Sequence, residues 1–245
     1  MYRFIVIVLV VAASLQSACA SAEALDILVY GATGKIGSLV VAEALERGHH
    51  VTAVSRNPAQ IETLHENLAA VRGDLLDPDS IRSLVNGQDV VVVSVRGIIG
   101  ESKTPDSALQ FLAAQQLVSV LREIGDAAPR LIHVGGAGSL EVEPGVRYAD
   151  KLPRLFLPKK LELEIDGQVL ALEFFRGVRD VAWTYITPPK NFTNGDRKGE
   201  YRIGADLMLE DARGRNRISR ADFAMALIDE AETGAHFRQR FSVAY

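Results

Sequence analysis

Cysteine is almost absent: the chain holds one, Cys19, so no intramolecular disulfide can staple it. Its five histidines, His49, His50, His65, His133 and His236, show no ligand spacing with that thiol, which leaves no visible metal set. No strongly basic stretch occurs, and 27 basic against 31 acidic side chains give a net charge of −4. A nucleic-acid backbone finds no electrostatic footprint, so no nucleic-acid partner is expected. Glycine (20) and proline (9) are ordinary in number and follow no G-x-y period, and no internal repeat appears, which excludes collagen-like, low-complexity and solenoid classes. What remains, 48% apolar and 24% charged among 245 residues, suffices to bury a sizeable core.

Long hydrophobic runs are also missing, with one short exception. Residues 1–24 read as a three-part export leader: Met1-Tyr2-Arg3, an apolar run from Phe4 to Leu15, then the small residues Ser17 to Ala22. The run is shorter than the ~20 residues a membrane span needs, and Ala18-Cys19-Ala20 or Ala20-Ser21-Ala22 offers a cleavage site. Export to the periplasm or medium is therefore expected, with no stable membrane span after processing. The alternatives are anchoring through an uncleaved leader or through a lipid on Cys19, although Gln16 stands where a lipoprotein signal wants an aliphatic residue. Export conflicts with a cytosolic nicotinamide coenzyme, and no twin-arginine pair is present to carry a prefolded holoprotein.

From Leu25 the chain alternates short apolar runs with amphipathic stretches, the pattern of a parallel sheet covered on both faces. Strands are predicted at Asp26 to Tyr30, Val51 to Ser55, Ala70 to Arg72, Asp89 to Val95, Leu131 to Val134 and Ala182 to Thr187. Helices are predicted near Ile36 to Glu46, Pro58 to Leu64, Pro78 to Asn86, Ser107 to Ile124 and Lys160 to Arg176. The expected fold is α/β, a Rossmann-like doubly wound sheet over residues 25–245, with a small C-terminal lobe from about 190 to 245. Asp89 to Val95, apolar on both pleat faces, belongs mid-sheet. Asp77 with Pro78 reads as a helix N-cap, as does Ser219 with Asp222, and Arg240 to Val243 suits a last strand.

Gly31-Ala-Thr-Gly34-Lys-Ile-Gly37 directly follows the first strand and precedes the first helix. Glycines are needed there for a sharp turn, for backbone approach to a diphosphate, and for close helix–strand packing. A tight connection is the competing reading, but the strand–turn–helix context favours a dinucleotide held by Gly31, Thr33, Gly34, Lys35, Ile36 and Gly37 on a helix N-terminus. After the second strand an NAD site expects an acid; here stand Ser55 and Arg56. A guanidinium pairs with a 2′-phosphate, so NADP (NADPH) is expected rather than NAD. Past the third strand, Asp74 is placed to accept from the adenine amino group, with Leu75 over the ring.

Together GATGKIG, SRNP, GDLLD and VGGAGSL make the chain similar to the atypical branch of the short-chain dehydrogenase/reductase superfamily. It resembles most the NAD(P)H-binding, flavin-reductase-like (biliverdin reductase B-like) family, from about Leu25 to the C-terminus. The resemblance implies a Rossmann fold, an NADP-type coenzyme and hydride transfer to a flat conjugated small-molecule acceptor, a flavin or quinone. It places Ser94, Val95, Gly135, Gly136 and Pro188 along the nicotinamide.

Most members of that superfamily use a Tyr-x-x-x-Lys pair; Tyr148-Ala-Asp-Lys151 has the wrong spacing and is expected to be loop. Catalysis is then expected to be mostly positioning, with water supplying the proton. Ser139 is the best hydroxyl for orienting the carboxamide or the substrate, against its alternative as a turn former. His133 is expected in the core, and Phe192 over a flat substrate. A non-catalytic NADP-binding redox sensor is the competing function, and a resident-NAD epimerase is disfavoured by Arg56.

Overall fold

The structure, a computed structural model, describes residues 23–101, 104–193 and 195–245. The leader with Cys19 lies outside them. Strands follow in chain order: β1 (Asp26–Tyr30), β2 (His50–Ser55), β3 (Leu68–Arg72), β4 (Val90–Val93), β5 (Arg130–Val134), β6 (Glu141–Glu143), β7 (Val146–Arg147), β8 (Trp183–Thr187), β9 (Asn191–Thr193), β10 (Arg202–Gly204), β11 (Arg217–Ser219) and β12 (Gln239–Ala244). The helices are α1 (Gly37–Glu46), α2 (Pro78–Val85), α3 (Leu109–Ile124), α4 (Tyr148–Lys151), α5 (Lys159–Gly177) and α6 (Arg220–Thr233).

Eight strands form one sheet in the order β10-β12-β8-β5-β4-β1-β2-β3, parallel throughout except for β10. Helices α1 and α6 cover one face; α2, α3 and α5 cover the other. The four valines of β4 are fully buried between β1 and β5. The chain runs outward from β1 through β2 to β3, then returns to place β4 on the opposite side of β1. This reversal opens a crevice at the carboxyl ends of β1 and β4, where open α/β sheets bind ligands.

The N-cap readings hold: the Asp77 carboxylate accepts from the Asp79 N–H, and the Ser219 hydroxyl from that of Asp222. Two local expectations need correction. The helix predicted from Pro58 to Leu64 is a single 3₁₀ turn over Pro58–Gln60 that buries nothing, with Leu64 96% exposed; without a face to bury, a short helix does not offset its nucleation cost. Tyr148 to Lys151, predicted as loop, closes one helical turn, because the Asp150 carboxylate accepts from the Arg147 N–H and Leu140 supplies a carbonyl to Tyr148.

Candidate active site

Gly31 has φ +80°, and a Cβ there would lie 2.2 Å from the Ser94 carbonyl oxygen, so β1 and β4 can meet at the crevice only through a glycine. Gly37 is equally constrained, its Cβ falling 2.1 Å from the Gly31 oxygen. Gly34 differs. A Cβ there meets nothing nearer than the Gly31 oxygen at 3.1 Å, yet this residue lines the crevice. The protein needs glycine at 31 and 37 for its own packing; at 34 it leaves a side chain out of the cleft.

Helix α1 starts behind Gly34 with no side-chain cap; the Ser38 N–H donates to the Gly34 carbonyl and that of Leu39 to Ile36, which leaves the N–H groups at Ile36 and Gly37 with capacity for an anion. The cleft encloses about 370 Å³. Gly31, Thr33, Gly34, Ser55, Arg56, Asp74, Leu75, Ser94 and Val95, all named from the sequence, line it together. Lys35, Ile36 and Gly37 stand behind that lining, in the turn and at the start of α1. Arg56 is exposed at the cleft rim. One Asp74 oxygen accepts from the Leu76 N–H at 2.9 Å.

Seven lining residues were not assigned to the site by sequence reasoning, among them Tyr30, Arg96 and Ile99. Tyr30 turns its hydroxyl into a buried position with no partner among the described residues, and burial followed by the Asp74 charge holds its pKa far above the usual phenol value. Arg96, exposed, is held by the buried Glu164 through Nη2 at 2.6 Å and Nε at 3.1 Å. Ile99 adds apolar wall. A strand-end reading stops at Val95; nothing local announces that α5 returns a carboxylate to Arg96.

Gly135, Gly136 and Pro188 lie at the carboxyl edge of β5 and β8, farther along the sheet and buried. A Cβ on Gly135 would enter the Tyr185 ring at 2.1 Å, so that glycine serves packing. Ser139 is 3% exposed, and its hydroxyl donates to the Gly136 carbonyl at 2.9 Å, closing a 3₁₀ turn. His133 is fully buried, its Nε2 3.0 Å from the Gln110 carbonyl, and burial pushes its pKa down to about 4. Phe192 does not lie free over a cleft: it packs edge-on against Phe223 at 5.3 Å, with the Arg220 guanidinium over its ring. The Lys190 ammonium lies over the Tyr148 ring, 5.9 Å from its centroid.

A doubly wound sheet with a glycine-rich turn, an uncapped helix start and a cleft at the switch point defines a dinucleotide-binding Rossmann protein. Comparison with known proteins agrees: over residues 31–233 the chain matches the NAD(P)H-binding family, and it belongs to that family. A solved structure from Bacteroides thetaiotaomicron, provisionally named an epimerase, is 30% identical, with TM-score 0.79 over 91% of this chain and 98% of its own. One from Burkholderia pseudomallei, provisionally named an exported protein, is 36% identical, with TM-score 0.74 over 90% and 100%. A third, from Streptococcus pneumoniae TIGR4 and provisionally named an NADH-flavin reductase, is 27% identical, with TM-score 0.71 over 90% and 99%. The chain is an NAD(P)H-dependent reductase with a Rossmann-like fold.

Proposed function

We propose that the protein takes NADPH and reduces a flat conjugated acceptor, a flavin or a quinone, without a tyrosine–lysine pair. The observation that carries this reading is Gly34: in a turn where two glycines answer to packing, the third keeps its side chain out of the cleft in front of an uncapped helix start. The N–H groups of Thr33, Lys35, Ile36 and Gly37 hold the diphosphate, while that of Gly34 closes the turn onto the Gly31 carbonyl at 2.8 Å; Asp74 accepts from the adenine amino group with Leu75 against the ring, and Arg56 with Ser55 meets the 2′-phosphate. NADPH bound there supplies a hydride. Ser94, Val95, Gly135, Gly136 and Pro188 line the path along which the nicotinamide faces the acceptor, and water provides the proton, so the residues act by positioning. Ser139 contributes from behind, by fixing the turn that carries Gly136. The flavin reductase name of the Streptococcus relative supports the acceptor class.

In this reading residues 25–245 act as one NAD(P)-binding unit whose small lobe begins near 190, and its partner is a small-molecule acceptor. Residues 1–24 are an export leader, a reading supported by the exported-protein name of the Burkholderia relative; no described helix is long and apolar enough to cross a membrane. The test is calorimetry with NADPH and NADH, then NADPH consumption against flavins and quinones. Binding of NADPH with turnover on such an acceptor is expected. Tight binding with no turnover on any acceptor would instead identify a redox sensor.

A further inference from the structure

The sheet half beyond β5 carries an imbalance of polar groups. Along β8 and β12, Ile186, Phe241 and Val243 face the core under α1 and α6, which turns Tyr185, Thr187, Arg240 and Ser242 to the opposite face. Parallel register sets Arg240 beside Tyr185 and Ser242 beside Thr187. All four are buried. The Tyr185 hydroxyl donates to the Gln168 carbonyl at 2.7 Å. The others are unsatisfied: Thr187 Oγ1, Ser242 Oγ and both Nε and Nη1 of Arg240 meet no partner among the described residues.

Only Nη2 of Arg240 is engaged, with the Asp206 carboxylate at 2.5 Å and the Ser139 carbonyl at 3.3 Å. Asp206 is also claimed by Arg176 at 2.7 Å, so two guanidinium groups share one carboxylate. The Arg240 side chain is 3% exposed. Burial, with Arg176 adding to it and Asp206 opposing, lowers its pKa. Unmatched buried donors are costly, and hydroxyl groups can rotate to donate.

We propose that Arg240, Thr187 and Ser242 form a binding site for one small monovalent anion, a halide or a carboxylate. The buried donors select the ligand: the Arg240 guanidinium has two idle nitrogens beside two idle hydroxyls, its one carboxylate partner is shared with Arg176, and a cation would be repelled. Because Arg240 also grips the Ser139 carbonyl, the anion steadies the turn that carries Gly135 and Gly136. Thr187 directly precedes Pro188, so the anion comes either from solution or as a carboxylate arm of the acceptor. The site needs no coenzyme, and only the acceptor as a source of the anion rests on the reductase reading.

Its test uses the full purified chain. With bromide replacing gluconate at constant ionic strength, the melting temperature rises by about 3 °C at 100 mM for a site of ~10 mM affinity. Crystals grown in bromide show an anomalous peak between Arg240 and Thr187 Oγ1. Thr187→Val, nearly isosteric and so safe for folding, and Ser242→Ala each remove at least half the rise; Arg240→Lys keeps part of it. A water-like peak without anomalous signal, or an undiminished rise in the Thr187→Val/Ser242→Ala double variant, overturns the proposal. Adding anthraquinone-2-carboxylate with NADP+ distinguishes the sources: displaced bromide identifies the acceptor's carboxylate, and retained bromide a free anion.

Discussion

The two halves of the sheet hold their ligand-facing groups in opposite ways. In the coenzyme half, β1 to β4, the proposed cradle is the main chain of a seven-residue turn in which three glycines carry no side chain. Across β5, β8 and β12, the working groups are side chains tied over long separations: Arg240 to Ser139, Arg176 to Asp206, Tyr185 to Gln168. A main-chain cradle is specified locally and tolerates change everywhere except at its glycines. A side-chain network spreads its specification over a hundred residues, and each member it loses strands another.

The largest effects separate the glycines of the cradle. Gly31→Ala forces a Cβ against the Ser94 carbonyl at a positive φ and should destabilise the fold by about 3 kcal/mol or more. Gly34→Ala should stay within about 1 kcal/mol of the parent by denaturant unfolding, yet weaken NADPH at least ~10-fold by calorimetry, since the methyl enters the cleft. Equal stability losses at the two positions would mean that the turn is only a connection.

The next effect belongs to the other half and appears as pH. His133 has a folded pKa of about 4, below its unfolded value of 6.5, because burial disfavours the charged ring. The unfolded chain therefore binds the extra proton between those values. Stability from this group is intact above pH 6.5 and falls as the pH drops toward 4, by about 3 kcal/mol across the window. His133→Phe, which cannot titrate, should flatten that limb in urea unfolding followed from pH 7.5 to 4.5. An unchanged slope would assign the loss to the carboxylates.

Arg56→Ala follows, at about 2 kcal/mol: NADPH affinity should fall ~30-fold while NADH changes by less than ~2-fold. Parallel losses would remove the 2′-phosphate assignment. The contrast between halves also explains what the sequence made legible. Nine cleft residues were readable because glycines, a strand-end arginine and Asp74 sit at fixed offsets from apolar strands. Arg96 with Glu164, the Tyr30 hydroxyl and the Arg240 cluster were not, since their partners lie 68 residues away, in the case of Arg96, or 101, for Arg240. Periodicity reports which face a residue takes, not which residue waits there. The false helix after Pro58 has the same origin: propensity without a face to bury.

Ser139→Ala tests where the second half touches catalysis. Its hydroxyl closes the Gly136 turn, so removal should cost about 1 kcal/mol of stability and leave kcat within ~3-fold. A collapse of kcat with NADPH affinity intact would return the hydroxyl to the reacting groups.

The smallest effect is expected at Tyr148, and for that reason it is informative. Helix α4 gives this phenol a lysine at i+3, Lys151, and the fold brings a second, Lys190, to 5.9 Å from its ring. A catalytic tyrosine of the short-chain dehydrogenase/reductase kind relies on a lysine that stabilises the phenolate, and here the Lys190 ammonium approaches the face of the ring and also pairs with Glu210 at 3.6 Å. A hydride acceptor that reduces at a ring nitrogen or quinone oxygen takes its proton from water, so Tyr148→Phe should keep kcat within a few fold from pH 6 to 9. A loss of ~100-fold, with a basic limb in the parent's pH profile that the variant lacks, would place a proton donor on α4. The acceptor half would then do chemistry as well as positioning, and an acceptor carbonyl would replace the flavin or quinone.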